Sequence, residues 1–180
     1  MTEERANDLV IIINILIVFA VAWNVKPYLS HSEEKLYQPY SQPPLVQNTL
    51  WQQSCGECPL AYPPATLPQR SWDRLFAEQG NHFDEELGLS EGDVVVLLSY
   101  ARANSAEHVE RELSFRTRQS LTASDTPLRI TETPYWQQTH DGIDGAVWHQ
   151  ENVKGRLTSA ACHLDAEQGG FSNGAMRLPQ

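Results

Sequence analysis

The chain has 180 residues, with 13 Lys and Arg against 23 Asp and Glu and a formal net charge of −10. A pI near 5.0 excludes a protein that tracks nucleic-acid phosphates, which needs a basic face. A mean hydropathy of −0.44 excludes a polytopic membrane protein, and three cysteines exclude a dense disulfide framework.

Residues 9–23 form a run of 15 residues in which only Asn14 is polar. As a helix it reaches roughly 22 Å, and extending it from Ala6 through Val25 approaches the ~20 residues a membrane span requires. Trp23 and Tyr28 suit the headgroup layer, and Lys26 can snorkel to it. The alternative is a cleaved signal peptide, since Ala20-Val21-Ala22 has the form of an Ala-x-Ala site. Glu3, Glu4 and Asp8 against Arg5 make the n-region acidic, which speaks against cleavage. Residues 1–26 are therefore read as a retained N-terminal transmembrane anchor. Residues 27–50, with Pro27, Pro39, Pro43 and Pro44 and no periodicity, read as a Pro-rich linker. That leaves one domain, 51–180, long enough to bury a core.

Within it, Pro59, Pro63, Pro64 and Pro68 forbid regular helix over ten residues. Ser71 is the expected N-cap of a short helix over 72–79, closed by Gly80. Ser90 with Asp93 has the form of a capping box opening the strongest helix, with Val94, Leu97, Leu98 and Ala101 on one face. Thr133-Pro134 reads as an N-cap and first helical position, placing Trp136 and His140 on one face. Thr158 or Ser159 is expected to cap a last short helix that carries Cys162 and His163 and ends at Gly169-Gly170. Alternating strand-like runs are absent, so the fold class is mostly α with long irregular loops.

The first chemical candidate is Cys55-Gly56-Glu57-Cys58. A C-x-x-C pair can attach a haem, ligate zinc, act as a redox dithiol or form a local disulfide. A thioredoxin-like site needs a strand before the motif and a helix after it, and this sequence has neither. Haem attachment wants a His after the second Cys as an axial iron ligand, and Pro59 stands there instead. The second candidate, Ser159-Ala160-Ala161-Cys162-His163, is C-x-x-C-H with the first Cys replaced by Ser. Its remaining Cys could form one thioether and His163 could be an axial ligand, although a buried Cys beside a surface His is the usual explanation of such a pair. Zinc held by Cys55, Cys58, Cys162 and His163 has the right ligand types, but adjacent Cys162 and His163 on one helix diverge. His31 in the linker and His108 in the charged run 107–111 read as solvated, and His149 beside Trp148 as a partly buried polar residue. No Ser/His/Asp order, phosphate loop or H-E-x-x-H helix is present, so the chain does not read as an enzyme.

The string from Cys58-Pro59-Leu60-Ala61-Tyr62-Pro63-Pro64 through Leu67-Pro68-Gln69-Arg70-Ser71-Trp72 resembles the first haem segment of the small dihaem cytochromes c. Asn81-His82-Phe83 is similar to the segment supplying that haem's other axial ligand. Arg129-Ile130-Thr131-Glu132-Thr133-Pro134-Tyr135-Trp136, His140 and Trp148 resemble the approach to the second haem. Ala161-Cys162-His163, Ala166, Gly169, Phe171 and Leu178-Pro179 resemble the second attachment segment and tail. The resemblance implies a helical electron-transfer domain with two covalent haems, each held by two histidines.

It places Cys55, Cys58 and His82 on the first site and His140, Cys162 and His163 on the second. Of these, His82, His140 and His163 are the iron ligands. The first site keeps both thioether cysteines and lacks its proximal ligand. The second keeps both histidines and lacks one thioether. The expected cofactor is haem c, two, one or none, with the second site favoured. If neither haem is present, Cys55 and Cys58 are expected to pair.

The functional reading is a membrane-anchored one-electron carrier with eroded haem sites. It sits on the bacterial inner membrane, faces the periplasm, and serves a membrane-bound redox complex or cytochrome b-type partner. Nucleic acid is not a partner. The alternatives are a haem-free accessory subunit of a larger membrane complex and a one-haem sensor with an open coordination position.

Overall fold

A computed structural model describes residues 48–56 and 60–179. The anchor expected over 1–26 and almost all of the linker lie outside these residues. Among the described residues, no helix is long and apolar enough to cross a membrane. Six α-helices occur there with no strand, only the isolated bridges His82–Glu85 and His163–Met176.

Helix α1, Thr49–Cys55, is capped by Asn48, whose side chain accepts from Trp51 N at 2.9 Å. It stops at Gly56, where a Cβ would run into the Gln52 carbonyl, so the close approach there requires glycine. Helix α2, Gln69–Ala77, buries Ser71, Trp72, Leu75 and Phe76. It begins after Pro68, earlier than the Ser71 cap implied. Ser71 lies inside the helix, its buried hydroxyl without a hydrogen-bond partner among the described residues. Helix α3, Glu91–Ala103, opens as expected at Ser90, which accepts from Asp93 N at 3.1 Å. Leu97 and Ala101 are buried, whereas Val95 and Val96 face outward.

The residues between α1 and α2 organise the rest. Leu60, Ala61 and all six residues from Pro63 to Pro68 are buried. Proline brings no N–H to satisfy, but every carbonyl in a buried segment still needs a donor. Those donors arrive from several elements. Trp51 Nε1 donates to Tyr62 O at 3.1 Å, and Trp72 Nε1 to Pro64 O at 2.8 Å. Ser114 Oγ donates to Ala65 O at 3.0 Å, and Ala106 N to Leu67 O at 3.0 Å. The proline-rich string is thus a central rod of main chain to which the helices are pinned.

One core cluster gathers on this rod from α1, α2 and α3. Trp51, only 2% exposed, has ring centroids of Trp72 at 5.3 Å, Tyr100 at 5.3 Å and Phe76 at 6.4 Å. On the other side pack α4, Glu112–Ser120, and α5, Pro134–His140, followed by the single turn α6, Gly145–Trp148. Thr133 caps α5 as expected, accepting from Trp136 N at 3.3 Å. The expected C-terminal helix is instead a strap of short 3-10 turns at Ser159–Ala161, Ala166–Gln168 and Asn173–Ala175. Gly169 at φ 72° turns the chain back, and Leu164 N donates to Ala175 O at 3.1 Å, which prevents a continuous helix. The charged run 107–111 is not wholly a solvent face either. His108 is exposed, but Arg111 is buried and donates to Gly169 O at 3.1 Å.

Candidate functional site

His140 is the last residue of α5. Its Nδ1 lies 2.8 Å from Trp136 O and 3.1 Å from Thr139 Oγ1. A carbonyl can only accept, so Nδ1 carries the proton and Nε2 keeps its lone pair, the tautomer a metal ligand needs. The Trp136 indole stacks on the imidazole at 4.2 Å and 12°. His163 is delivered by the C-terminal strap. Its N–H donates to Ser159 O at 2.8 Å, and Arg177 N bonds to Cys162 O at 2.7 Å.

The two imidazoles lie edge-on to one another, with centroids 6.2 Å apart at 61°. Two histidines binding in line across one metal have centroids about 6 Å apart, from two bonds of roughly 2 Å plus about 1 Å inside each ring. The spacing therefore fits a bis-histidine iron. Burial pushes both imidazoles below the usual histidine pKa. His163 is pushed further by neighbouring His140, while Asp165 opposes the shift. Both are neutral near pH 7, the form that ligates. His163 Nδ1 is buried and has no hydrogen-bond partner among the described residues.

These rings border a cavity of about 260 Å³ lined by Ile130, Trp136, Trp148, Phe171, Arg111 and Arg156 among others. That is far beyond a packing defect and close to the lower end of small-molecule sites. Cys162 and Ser159 line the same cavity. Burial raises the Cys162 thiol pKa, so it stays protonated. Aromatic walls edged by two arginines, a thiol and a neighbouring imidazole pair together suit a flat, largely apolar group with charged edges that bears a metal and is attached through one sulfur.

The first set of residues is arranged differently. Cys55 ends α1, half-buried against the aromatic core, while Cys58 and Pro59 lie outside the described residues. His82 sits in a tight turn, its N–H donating to Glu85 O at 2.7 Å. Phe83 and Asp84 both take positive φ, 57° and 74°, a strained state for a phenylalanine. The Arg129 guanidinium lies 3.5 Å from the centre of the Phe83 ring and holds that turn. His82 has a lowered pKa through burial and then Arg129, opposed by Glu85. Its Nδ1 is buried without a hydrogen-bond partner among the described residues. Its ring contact is Phe83, at 4.4 Å.

The structure thus brings His140, Cys162 and His163 around one cavity and leaves Cys55 and His82 apart from it. His149 is exposed, bonded through Nδ1 to Gly145 O at 2.9 Å, so the partly buried position expected for it does not occur. Among the described residues, no group of three His, Cys, Asp or Glu side chains could hold a metal ion by itself. Sequence reasoning did not find Tyr62, Arg111 and Arg156 as site residues. Tyr62 is placed by Leu157 and Ser159 and Arg111 by Gly169, dozens of positions away, while Arg156 lies over Trp136 and Trp148.

The sequence of residues 51–171 matches the family described as Dihaem cytochrome c. No curated protein matches it significantly. A diheme cytochrome c from Rhodobacter sphaeroides is 36% identical, with a TM-score of 0.63 over 72% of this chain and 100% of its own. A crystal structure of DHC purified from the same organism gives 35% identity and a TM-score of 0.56, over 71% of this chain and 99% of its own. A diheme cytochrome type c from Shewanella baltica OS155 shares the fold at 24% identity and a TM-score of 0.60, over 75% and 95%. With helices pinned to a proline-rich rod, paired imidazoles beside one cysteine, and a match from the first core tryptophan to the cavity phenylalanine, the chain belongs to the dihaem cytochrome c family.

Proposed function

We propose that the protein is a one-electron carrier whose working centre is the cavity between His140 and His163. The 6.2 Å spacing of their rings carries this reading. His140 and His163 would hold a haem c iron, and Cys162 would supply the single thioether. The group would supply one-electron exchange without substrate turnover. The chain's own part is to keep both imidazoles neutral by burial, to fix the His140 tautomer through Trp136 O, and to exclude water with Trp136, Trp148 and Phe171. Cys55, Cys58 and His82 would serve a second haem less well, because Pro59 offers iron no nitrogen.

The apolar run over residues 9–23 supports a membrane anchor, with the domain facing the periplasm from a bacterial inner membrane. A membrane-bound redox complex or cytochrome b-type protein is the partner suited to such a tether. A haem-free accessory subunit is the second reading. It is favoured by the closed ring packing of Trp51, Trp72, Phe76 and Tyr100, which completes a core from side chains alone.

The test is the absorption spectrum of protein matured with cytochrome c machinery, followed by pyridine haemochrome quantitation and peptide mapping. A low-spin spectrum with haem on the Cys162 peptide supports the carrier. Haem on the Cys55/Cys58 peptide alone overturns the choice of site, and no haem on either favours the accessory subunit.

A further inference from the structure

Ser159 occupies the position of the missing thioether cysteine, and it is not idle. Its Oγ lies 2.8 Å from the Tyr62 hydroxyl, which also lies 2.9 Å from Leu157 O. A phenol has one proton to give and a carbonyl can only accept, so Tyr62 donates to Leu157 O and Ser159 donates to the Tyr62 oxygen. A thiol at 159 would be a much weaker donor. Burial raises the Tyr62 pKa, which keeps that proton in place.

Tyr62 grips the strap beyond His163 as well. Its ring stacks on Phe171 at 6.2 Å and 9°, and Phe171 meets the His163 imidazole edge-on at 5.7 Å and 67°. On its other side Tyr62 is fixed, because its carbonyl accepts from Trp51 Nε1 and rigid Pro63 follows it. One side chain of the central rod therefore touches the strap on both flanks of Cys162-His163.

From these contacts we infer that Tyr62 is a positioning residue for His163, and that the Ser159–Tyr62 hydrogen bond takes over the fastening a first thioether would give. The inference rests on the His140/His163 reading of the cavity. In this arrangement the substitution at 159 is a replacement of one fastening by another. A covalent tether through the porphyrin gives way to a hydrogen bond from the rod, and the ligand stays aimed at its partner.

The experiment uses the full chain, matured with cytochrome c machinery, as Tyr62→Phe, Ser159→Ala, the double variant and Ser159→Cys. The first readout is a urea double-mutant cycle on the purified chain, whatever its haem content. Each single variant is expected to lower the folded-to-unfolded ratio about fivefold, with the double no worse than the more harmful single. The second readout is the rate at which carbon monoxide adds to the dithionite-reduced protein, which follows how freely an axial imidazole leaves. Tyr62→Phe and Ser159→Ala are each expected to raise it severalfold.

Ser159→Cys restores the other fastening. The introduced thiol adds its S–H across the remaining vinyl group, sulfur to one carbon and hydrogen to the other, with no oxidant consumed. The pyridine haemochrome band then moves to shorter wavelength, and Tyr62→Phe on that background no longer changes the carbon monoxide rate. Additive losses in the urea cycle, or an unchanged carbon monoxide rate in Tyr62→Phe, would overturn the inference. Should the chain hold no haem, the carrier reading fails on its own, and the urea cycle still judges the fastening: coupling sustains it and additivity ends it.

Discussion

In the first half of the fold, Trp51 stands at the centre with Trp72, Phe76 and Tyr100 against it; in the second, the centre is a cavity with His140 and His163 on its walls. The two halves differ in which candidate residues they carry. The first has Cys55 and one imidazole held by a strained turn, while the second has two neighbouring imidazoles and one cysteine. On the proposed reading, attachment and ligation are separable. Thioethers fasten the group, whereas axial nitrogens decide its electronic behaviour. On the proposed reading, the half that holds the imidazole pair is the one that carries the electron.

The contrast is most directly broken by removing ligands. His140→Ala or His163→Ala in matured protein is expected to abolish the low-spin spectrum entirely, while His82→Ala leaves it intact. Absorption spectra of the three variants check this, and equal losses would make the halves equivalent. Next in size is the stability of the filled half. Trp51→Ala should cost about 3–5 kcal/mol in urea unfolding, since the residue is 2% exposed and its indole also satisfies Tyr62 O. Half-buried Trp148 borders the cavity, so its truncation should cost clearly less. A smaller effect is expected at the α5 cap. Thr133 is fully buried, accepts from Trp136 N and donates to Ile130 O at 2.7 Å. Thr133→Ala should cost about 1 kcal/mol, seen in the urea midpoint, and should loosen His140.

The smallest effect is a pH dependence of the haem-free chain. His82, His140 and His163 each bind a proton less tightly folded than unfolded, with burial the leading cause. The unfolded chain therefore takes up more protons as the pH falls. Their contribution to stability is complete above the ordinary value of 6.5 and drains away as the pH drops through the lowered folded values. Urea midpoints across that window should fall with pH. They should fall less in His140→Asn/His163→Asn protein, which would locate most of the dependence in the second half.

Local chemistry made the caps at Ser90 and Thr133 legible, because each is a bond between residues three apart. Helix α4 was not legible. Its buried residues are Ser114 and Thr117, so no apolar period marks it, and Ser114 is bonded to Ala65 O, 49 positions away. Ser71 was a misleading cap because Pro68 already allows the helix to start. His140, Cys162 and His163 were legible as motif residues, yet their meeting depends on the strap bridging back at Met176. Tyr62 shows the same limit, for its hydroxyl partners lie 95 and 97 residues downstream.

The proline-rich rod has a consequence for cooperativity. Trp51 of α1, Trp72 of α2, Ser114 of α4 and Ala106 after α3 each satisfy a different carbonyl of the same buried segment. A helix that undocks alone leaves behind a buried acceptor without a donor, at about 1–3 kcal/mol, before any apolar contact is counted. Partial opening is penalised at several independent points on one line of main chain. The helices that form the aromatic core and α4 beside the cavity are therefore expected to be released together, as one folding unit.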